Sequence, residues 1–355
     1  MHLATITLTH FRTYKRQTIT FAPLTIIVGE NTVGKTNILE AVHMLSTGKS
    51  FRADKDLDTI QFGADFARVD AILQDDSERV KITVQLLNNS AVFHKRYLLN
   101  DVGKRLVDFA SFFCSVIFSP QDLEIISESP TMRRRYLDGL LSATSSAYRS
   151  AHITYTKALR QRNRLLGLIK EGKRRYSADE FVYWNSLLLE HAKTISEHRQ
   201  RYIDYVNTTH KNVYPLELSY DASYVTSERL EKYKDAELAS GVTLIGPQRD
   251  DIVIQFPNTH RLIREFASRG EQRLAILQLK LFELTYVKEN TNRQPILLLD
   301  DVFSELDAQN IDLISRLLPE QQTIITTTHI QDVPKEILSE ALVLHLPEDL
   351  HTDKT

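Results

Sequence analysis

Two phosphate-site motifs stand at opposite ends of this chain, and the stretch between them constrains the fold more than any other feature. Gly29-Glu30-Asn31-Thr32-Val33-Gly34-Lys35-Thr36 fits the phosphate-loop pattern G-x-x-x-x-G-K-[ST]. Ile296-Leu297-Leu298-Leu299-Asp300-Asp301 is an apolar run closed by two acids, the form of a magnesium-holding strand. Thr36 and Ile296 lie 260 positions apart, yet both motifs serve one nucleotide. The chain must leave the nucleotide site early, build something else and return. The flanks of the first motif agree with this. Residues 24–28 form a short apolar run, and 35–45 place Ile38, Val42 and Leu45 on one helix face.

The chemistry follows from the residue types. Backbone N–H groups of the loop, with a helix N-terminus behind them, cradle phosphate oxygens. Lys35 reaches the β and γ phosphates, and the Thr36 hydroxyl ligates Mg²⁺. Asp300, ending a buried strand, holds the metal's water shell, and Asp301 orients or polarises the attacking water. Taken alone, Asp300-Asp301 also suits a capped loop after a core strand; the following Phe303-Ser304-Glu305-Leu306-Asp307 weighs against that. A third stretch, Ala267-Ser268-Arg269-Gly270-Glu271-Gln272-Arg273, precedes a helix expected over 271–289. By itself it reads as a helix cap, with Ser268 or Gly270 at the start and Glu271 in the first turn. Beside a complete phosphate cradle it reads as a second anion-binding surface, useful if it meets the nucleotide of another copy.

At 355 residues, with 42% hydrophobic and 25% charged content, the chain suits two domains or one with a large insertion. One cysteine, Cys114, excludes an internal disulfide, and the twelve histidines show no metal-ligand spacing. A reduced, cytoplasmic protein is expected, with no signal peptide and no run near the ~18 apolar residues of a membrane span. Strand patterns occupy 67–73, 80–87 and 92–99, with a turn at Asn100-Asp101-Val102-Gly103. They vanish between about 121 and 212, where two helices are expected at 148–170 and 179–206. Strands resume at 216–220, 244–245, 252–256, 296–301, 323–328 and 342–345; the polar end from Glu348 reads as frayed.

Within the helical stretch, nine Lys/Arg between Arg149 and Arg175 face one acid, Glu171, in a chain of net charge −2. Lys157, Arg160 and Arg164 share a helix face. Such a stripe neutralises DNA phosphates without base readout; the plainer alternative is a solvated helix face. Arg133-Arg134-Arg135 lies upstream and serves either DNA or structure, through a pairing with Asp138. Arg12, Lys49 and Arg52 flank the phosphate loop and suit nucleotide, DNA or salt bridges in the sheet.

Taken together, these stretches resemble the ABC-type ATPases of the SMC group and, more finely, the bacterial RecF family. Phe11-Arg12-Thr13-Tyr14, Gly34-Lys35-Thr36-Asn37, Gly48-Lys49-Ser50-Phe51-Arg52 and Phe118-Ser119-Pro120-Gln121-Asp122-Leu123 carry the resemblance. So do Ser129-Pro130 with Arg133 to Asp138, the run Tyr155 to Leu166, and Gly246-Pro247-Gln248-Arg249-Asp250-Asp251. The resemblance implies an α/β fold: an ABC-type, SMC-like ATPase head with a split phosphate-loop domain and an inserted α-helical lobe. The expected domains are 1–120 and 215–355 for the ATP-binding lobe and 121–214 for the helical arm. It implies a weak ATPase using ATP and Mg²⁺ and a homodimer closed by ATP. DNA partners would be double-stranded and gapped, and protein partners RecR with RecO-type mediators. Recombinase loading at gaps would be the outcome. Asn37, Gln121, Ser268, Gly270 and Gln272 join the loop as nucleotide contacts, with Ser268 reaching the partner's γ-phosphate. His329 or Thr328 takes the γ-phosphate-sensing place. Thr32-Val33, Gln121 and Gln248 depart from the family's usual residues. A rival reading is a DNA-independent, nucleotide-gated ATPase of the OLD type, which usually carries an appended effector domain; an ABC transporter ATPase fits less well, since its motifs lie closer together.

Overall fold

The computed structural model describes residues 1–75, 77–89, 92–110, 112–304 and 308–348. Glu305-Leu306-Asp307 and the polar end beyond Glu348 lie outside the described residues. The chain divides into two compact units, one formed by 1–122 with 283–355 and the other by 123–282.

The first unit opens with β1 (His2–Phe11), β2 (Tyr14–Thr20), β3 (Leu24–Val28) and helix α1 (Lys35–Thr47). β4 (Phe66–Gln74), β5 (Arg79–Asn89), β6 (Val92–Leu99) and β7 (Val102–Lys104) follow, then a one-turn helix α2 (Leu106–Phe109) and β8 (Ser115–Phe118). β7 corrects the turn expected at 100–103. Only Asn100 and Asp101 turn, both with positive φ, and Val102 already pairs with Leu99.

The second unit holds one-turn α3 (Glu124–Ser127), α4 (Pro130–Thr144), α5 (Ser146–Lys170), α6 (Ala178–Thr208) and β9 (Glu217–Asp221). Then come α7 (Ser227–Ser240), β10 (Asp251–Gln255), one-turn α8 (Ile263–Phe266) and α9 (Arg269–Thr291), along which the chain passes back to the first unit. That unit closes with β11 (Ile296–Asp300), α10 (Ala308–Leu317), β12 (Thr323–Thr327), α11 (Lys335–Glu340) and β13 (Leu342–His345).

Two sheets build the first unit. The antiparallel sheet runs β2-β1-β4-β5-β6-β7 and buries alternate residues, such as Ala67, Val69, Ala71 and Leu73 of β4, as a period of two requires. The other sheet runs β13-β3-β12-β11-β8, with every pairing parallel. Its strands β8, β11 and β12 are buried along their whole length, which is why they read as unbroken apolar or Thr-rich runs. One core joins both sheets through α1, whose Ile38, Val42 and Leu45 are almost fully buried. Each such side chain contributes about 1.5–3 kcal/mol relative to exposure.

In the second unit α5 and α6 pack along each other as a hairpin. α5 starts at the Ser145 cap, which accepts from the Tyr148 N–H. Residues 244–245, expected as a strand, are loop: β10 pairs with β9 and, through one isolated bridge, with Leu262. By packing, residues 215–282 go with the helical arm rather than with the C-terminal part of the ATP-binding lobe. A buried polar centre ties the 247–250 turn to that arm. Arg199 of α6, 1% exposed, bonds to Asp138 and Asp250 at 2.7 Å each and to the Pro247 carbonyl at 2.9 Å. Gly246 has φ 115, and a Cβ there would run into the Tyr155 hydroxyl. Gln248, the departure from the family pattern, accepts from that hydroxyl and donates to the Ile245 carbonyl at 2.7 Å.

Candidate nucleotide site

Parallel strands end their C-termini along one edge, and there the two distant motifs meet. β12 lies between β3 and β11, so the phosphate loop after β3 and Asp300 at the end of β11 flank it on either side. The Thr36 hydroxyl donates to Asp300 Oδ1 at 2.9 Å, and the Thr326 hydroxyl donates to the same oxygen at 2.7 Å. Burial pushes the Asp300 carboxyl above its usual range, against the pull of those hydroxyls and of Arg52.

The loop is shaped by backbone constraints. Gly34 caps α1 with φ 105, and a Cβ there would lie 2.6 Å from the Tyr14 hydroxyl and 2.9 Å from that of Thr13. Glycine alone fits that conformation and that gap. Thr32 also carries a positive φ, of 79. Glu30, Asn31 and Thr32 are exposed at the loop mouth, while Gly34, Lys35 and Asn37 are buried. The Lys35 ammonium folds back on the carbonyls of Gly29 at 2.5 Å and Glu30 at 3.0 Å. Burial lowers its pKa from the ordinary lysine value, and Asp301 and Asp300 pull it back up. Val33 packs against the core, so its apolar side chain is absorbed by the fold rather than offered to a ligand.

Asp301 adopts a left-handed backbone, φ 52, held by its N–H to the Thr326 carbonyl at 3.0 Å. Strain of this kind in a non-glycine residue gathers at functional sites. Its Oδ1 accepts from the Thr328 N–H at 3.4 Å, and the Thr328 hydroxyl bonds to Asn31 Oδ1 at 3.2 Å. Thr328 thus ties the acid to the loop, whereas the His329 ring is exposed and unpaired among the described residues. Gln121 is exposed three residues past β8, the other neighbour of β11. Arg52, left open by the sequence, donates to Asn37 Oδ1 at 3.3 Å. Arg12 is a structural ion: it grips the fully buried Glu40 at 2.8 and 2.6 Å.

Ser268, Gly270 and Gln272 lie in the second unit, at the start of α9. Ser268 and Glu271 form a capping box: Ser268 N–H and Oγ each donate to Glu271 Oε2 at 2.8 Å, and Glu271 N–H returns to Ser268 Oγ at 3.3 Å. Ser268 and Gly270 are exposed, and Gln272 Nε2 donates to the Ala267 carbonyl at 3.1 Å.

The basic residues separate into two sets. Lys157, Arg160 and Arg164 are exposed and make no ion pair or hydrogen bond among the described residues. Arg162 and Arg149 of the same run point inward; Arg162 pairs with buried Glu237 at 2.7 Å, and Arg149 donates to the Ser142 carbonyl at 2.6 Å. Arg133, expected to touch DNA, is 3% exposed and grips Asp251 at 2.7 and 3.0 Å. Its partner is Asp251 and not Asp138, which is taken by Arg199, Tyr148 and His152. Arg134 is half-buried and donates to the Asp250 carbonyl at 2.7 Å.

A split phosphate-loop site on such a sheet defines an ABC-type ATPase head, and residues 2–345 match the model of the RecF/RecN/SMC N-terminal domain. The chain is 34% identical to the DNA replication and repair protein RecF of Agathobacter rectalis, over 98% of this chain and 97% of that one. It is 35% identical to the same protein of Thermosynechococcus vestitus, over 93% and 91%. A solved structure of the recombination mediator protein RecF-ATP in the RecFOR pathway superposes with a TM-score of 0.84 at 32% identity, covering 94% of this chain and 93% of that one. A second, of RecF-ATPrS, gives 0.82 at 31% identity, covering 94% of each. The chain belongs to the RecF family of DNA replication and repair proteins. Among the described residues, no helix is long and apolar enough to cross a membrane.

Proposed function

We propose that this protein is an ATP-switched DNA-binding protein of recombinational repair. The observation that carries the reading is the convergence of the Thr36 hydroxyl, from α1, and the Thr326 hydroxyl, from β12, on one carboxylate oxygen of Asp300. Lys35, now resting on loop carbonyls, would turn to the phosphates of ATP. The hydroxyl and carboxylate oxygens of Thr36 and Asp300 fit a hard divalent cation such as Mg²⁺. When bound, that ion neutralises charge on the β and γ phosphates. Asp301 would orient the attacking water, and Thr328, linked to both Asp301 and Asn31, would register the γ-phosphate more directly than His329.

Ser268 would complete the site in a second copy. The exposed start of α9 offers helix N–H groups to an anion, and Glu271 must let the Ser268 hydroxyl go when phosphate arrives. ATP would then hold a homodimer and hydrolysis open it. The face of Lys157, Arg160 and Arg164 supports binding of double-stranded or gapped DNA through phosphates. The relatives' place in the RecFOR pathway supports RecR and RecO-type partners and recombinase loading at gaps. Light scattering with ATP and Mg²⁺ tests the dimer. Ser268→Arg is expected to abolish ATP-induced dimerisation, and Asp301→Asn to prolong it by stalling turnover. Wild-type dimerisation in Ser268→Arg would sink the contact in trans.

A further inference from the structure

The loop that follows α1 is held by two largely buried ions, one on β6 and one on α1, that the phosphate-site chemistry does not use. Gly48 caps the helix, and the chain then runs through Lys49, Ser50, Phe51 and Arg52 to a short 3-10 turn at Asp56–Thr59. Lys95 of β6 closes the base of this loop. Its ammonium donates to the Gly48 carbonyl at one end and to Asp56 Oδ2 at the other, at 2.7 Å. Asp56 Oδ1 accepts the Ser50 N–H at 3.0 Å. The Lys95 side chain is 12% exposed, and burial lowers its pKa from the ordinary lysine value, with Asp56 opposing.

The second ion is Glu40, one helical turn beyond Thr36 and wholly buried. Besides its two bonds from Arg12 it accepts the Ser50 hydroxyl at 2.5 Å. Ser50 Oγ in turn accepts the N–H groups of Arg52 at 3.0 Å and Ala53 at 2.7 Å. The backbone of Arg52 is therefore fixed through Ser50 by the phosphate-loop helix itself. Its guanidinium ends at Asn37, next to Thr36, and its charge is felt by Asp300. It is exposed and makes no ion pair among the described residues. Burying an ammonium and a carboxylate is costly unless each is fully bonded. Here nearly every bond of Lys95, and one of Glu40's, is spent on holding this loop.

We propose that residues 48–56 present Arg52 to the phosphates of the bound nucleotide, and that Lys95 and Glu40 are the positioning residues that hold it there. The proposal rests on the ATP reading above and deepens it. It makes nucleotide affinity depend on a lysine of the antiparallel sheet that never touches the ligand.

A double-mutant cycle tests it. Binding of a fluorescent ATP analogue with Mg²⁺ is titrated for wild type, Arg52→Ala, Lys95→Met and the double variant, with turnover measured alongside. Each single variant is expected to bind about tenfold more weakly, and the double no more than about twofold worse than Arg52→Ala. Lys95→Arg should recover most of the loss. Circular dichroism melts confirm that the variants are folded; Asp56→Asn, a milder cut of the same clasp, stands in if Lys95→Met is not. Multiplying effects, or wild-type affinity in both Lys95→Met and Asp56→Asn, would overturn the positioning role. Wild-type affinity in Arg52→Ala overturns the proposal, while loss in Lys35→Ala leaves the ATP reading intact. Unchanged binding in Lys35→Ala removes that reading itself.

Discussion

The exposed stripe on α5 makes a prediction whose size follows from its geometry. Lys157 and Arg164, with Arg160 between them, lie seven steps apart, about 10 Å of helix at 1.5 Å per residue. That length allows contact with two or three phosphates of a duplex. Each phosphate neutralised adds about 0.9 to the slope of log affinity against log salt. Replacing Arg160 and Arg164 by Gln keeps the helix and removes two contacts, so the slope should fall by about 1.8. Between 50 and 200 mM salt, a fourfold change, the variant's affinity should drop roughly twelvefold less than that of wild type. Fluorescence anisotropy with a labelled duplex at four or five salt concentrations reads this directly. The internal control is Arg162→Gln on the same helix, whose guanidinium is turned inward onto Glu237 and should leave the slope alone wherever the variant is folded. An unchanged slope in the Arg160/Arg164 variant would refute the reasoning and move the DNA surface elsewhere. So would an equal change in the control.

Other outcomes follow from the same geometry. Arg133→Met should cost about 3–5 kcal/mol in denaturant unfolding, because Asp251 loses its buried partner; a loss under 1 kcal/mol would show that the pair adds little. Gly34→Ala should abolish nucleotide binding and lower the melting temperature, since the positive φ and the Tyr14 contact together cost about 2–5 kcal/mol. Asp300→Asn should raise the melting temperature at neutral pH while ending turnover. The folded carboxyl sits above its unfolded value, so stability falls as pH rises through that interval and the charge remains a cost above it. The gain should vanish below about pH 4, where both states are neutral; a variant less stable than wild type at pH 7 would contradict this.

Much of the site was legible because its chemistry is local. A phosphate loop needs glycine where φ is positive and a lysine and threonine at fixed offsets, so 29–36 declare themselves. The inner strands of a parallel sheet need apolar residues on both faces, so Ile296–Asp300 does too. The long helices of 146–208 were visible in their periodicity, to within a few residues. The short β7 and the loop at 244–245 were not, because pairing partners decide them.

Charge was the least legible property. Arg133, Arg149 and Arg162 look like Lys157, Arg160 and Arg164 in the sequence, yet the first three are buried ions and the last three are free. What separates them is whether a carboxylate or a run of carbonyls lies across the packed interface, and those partners are up to 118 positions away. The same holds for Arg12, claimed by Glu40, and for Arg52, which bonds to Asn37 and makes no ion pair among the described residues.

The sequence by itself determined that a nucleotide site is split across the chain and that a helical arm fills the gap. Those facts follow from residue type and spacing alone. Only the tertiary structure decided that β12 stands between the two motifs and that Thr328, just past its end, bonds to both. It also decided which cations remain free for a ligand, because burial and pairing depend on residues that meet only once the chain has folded.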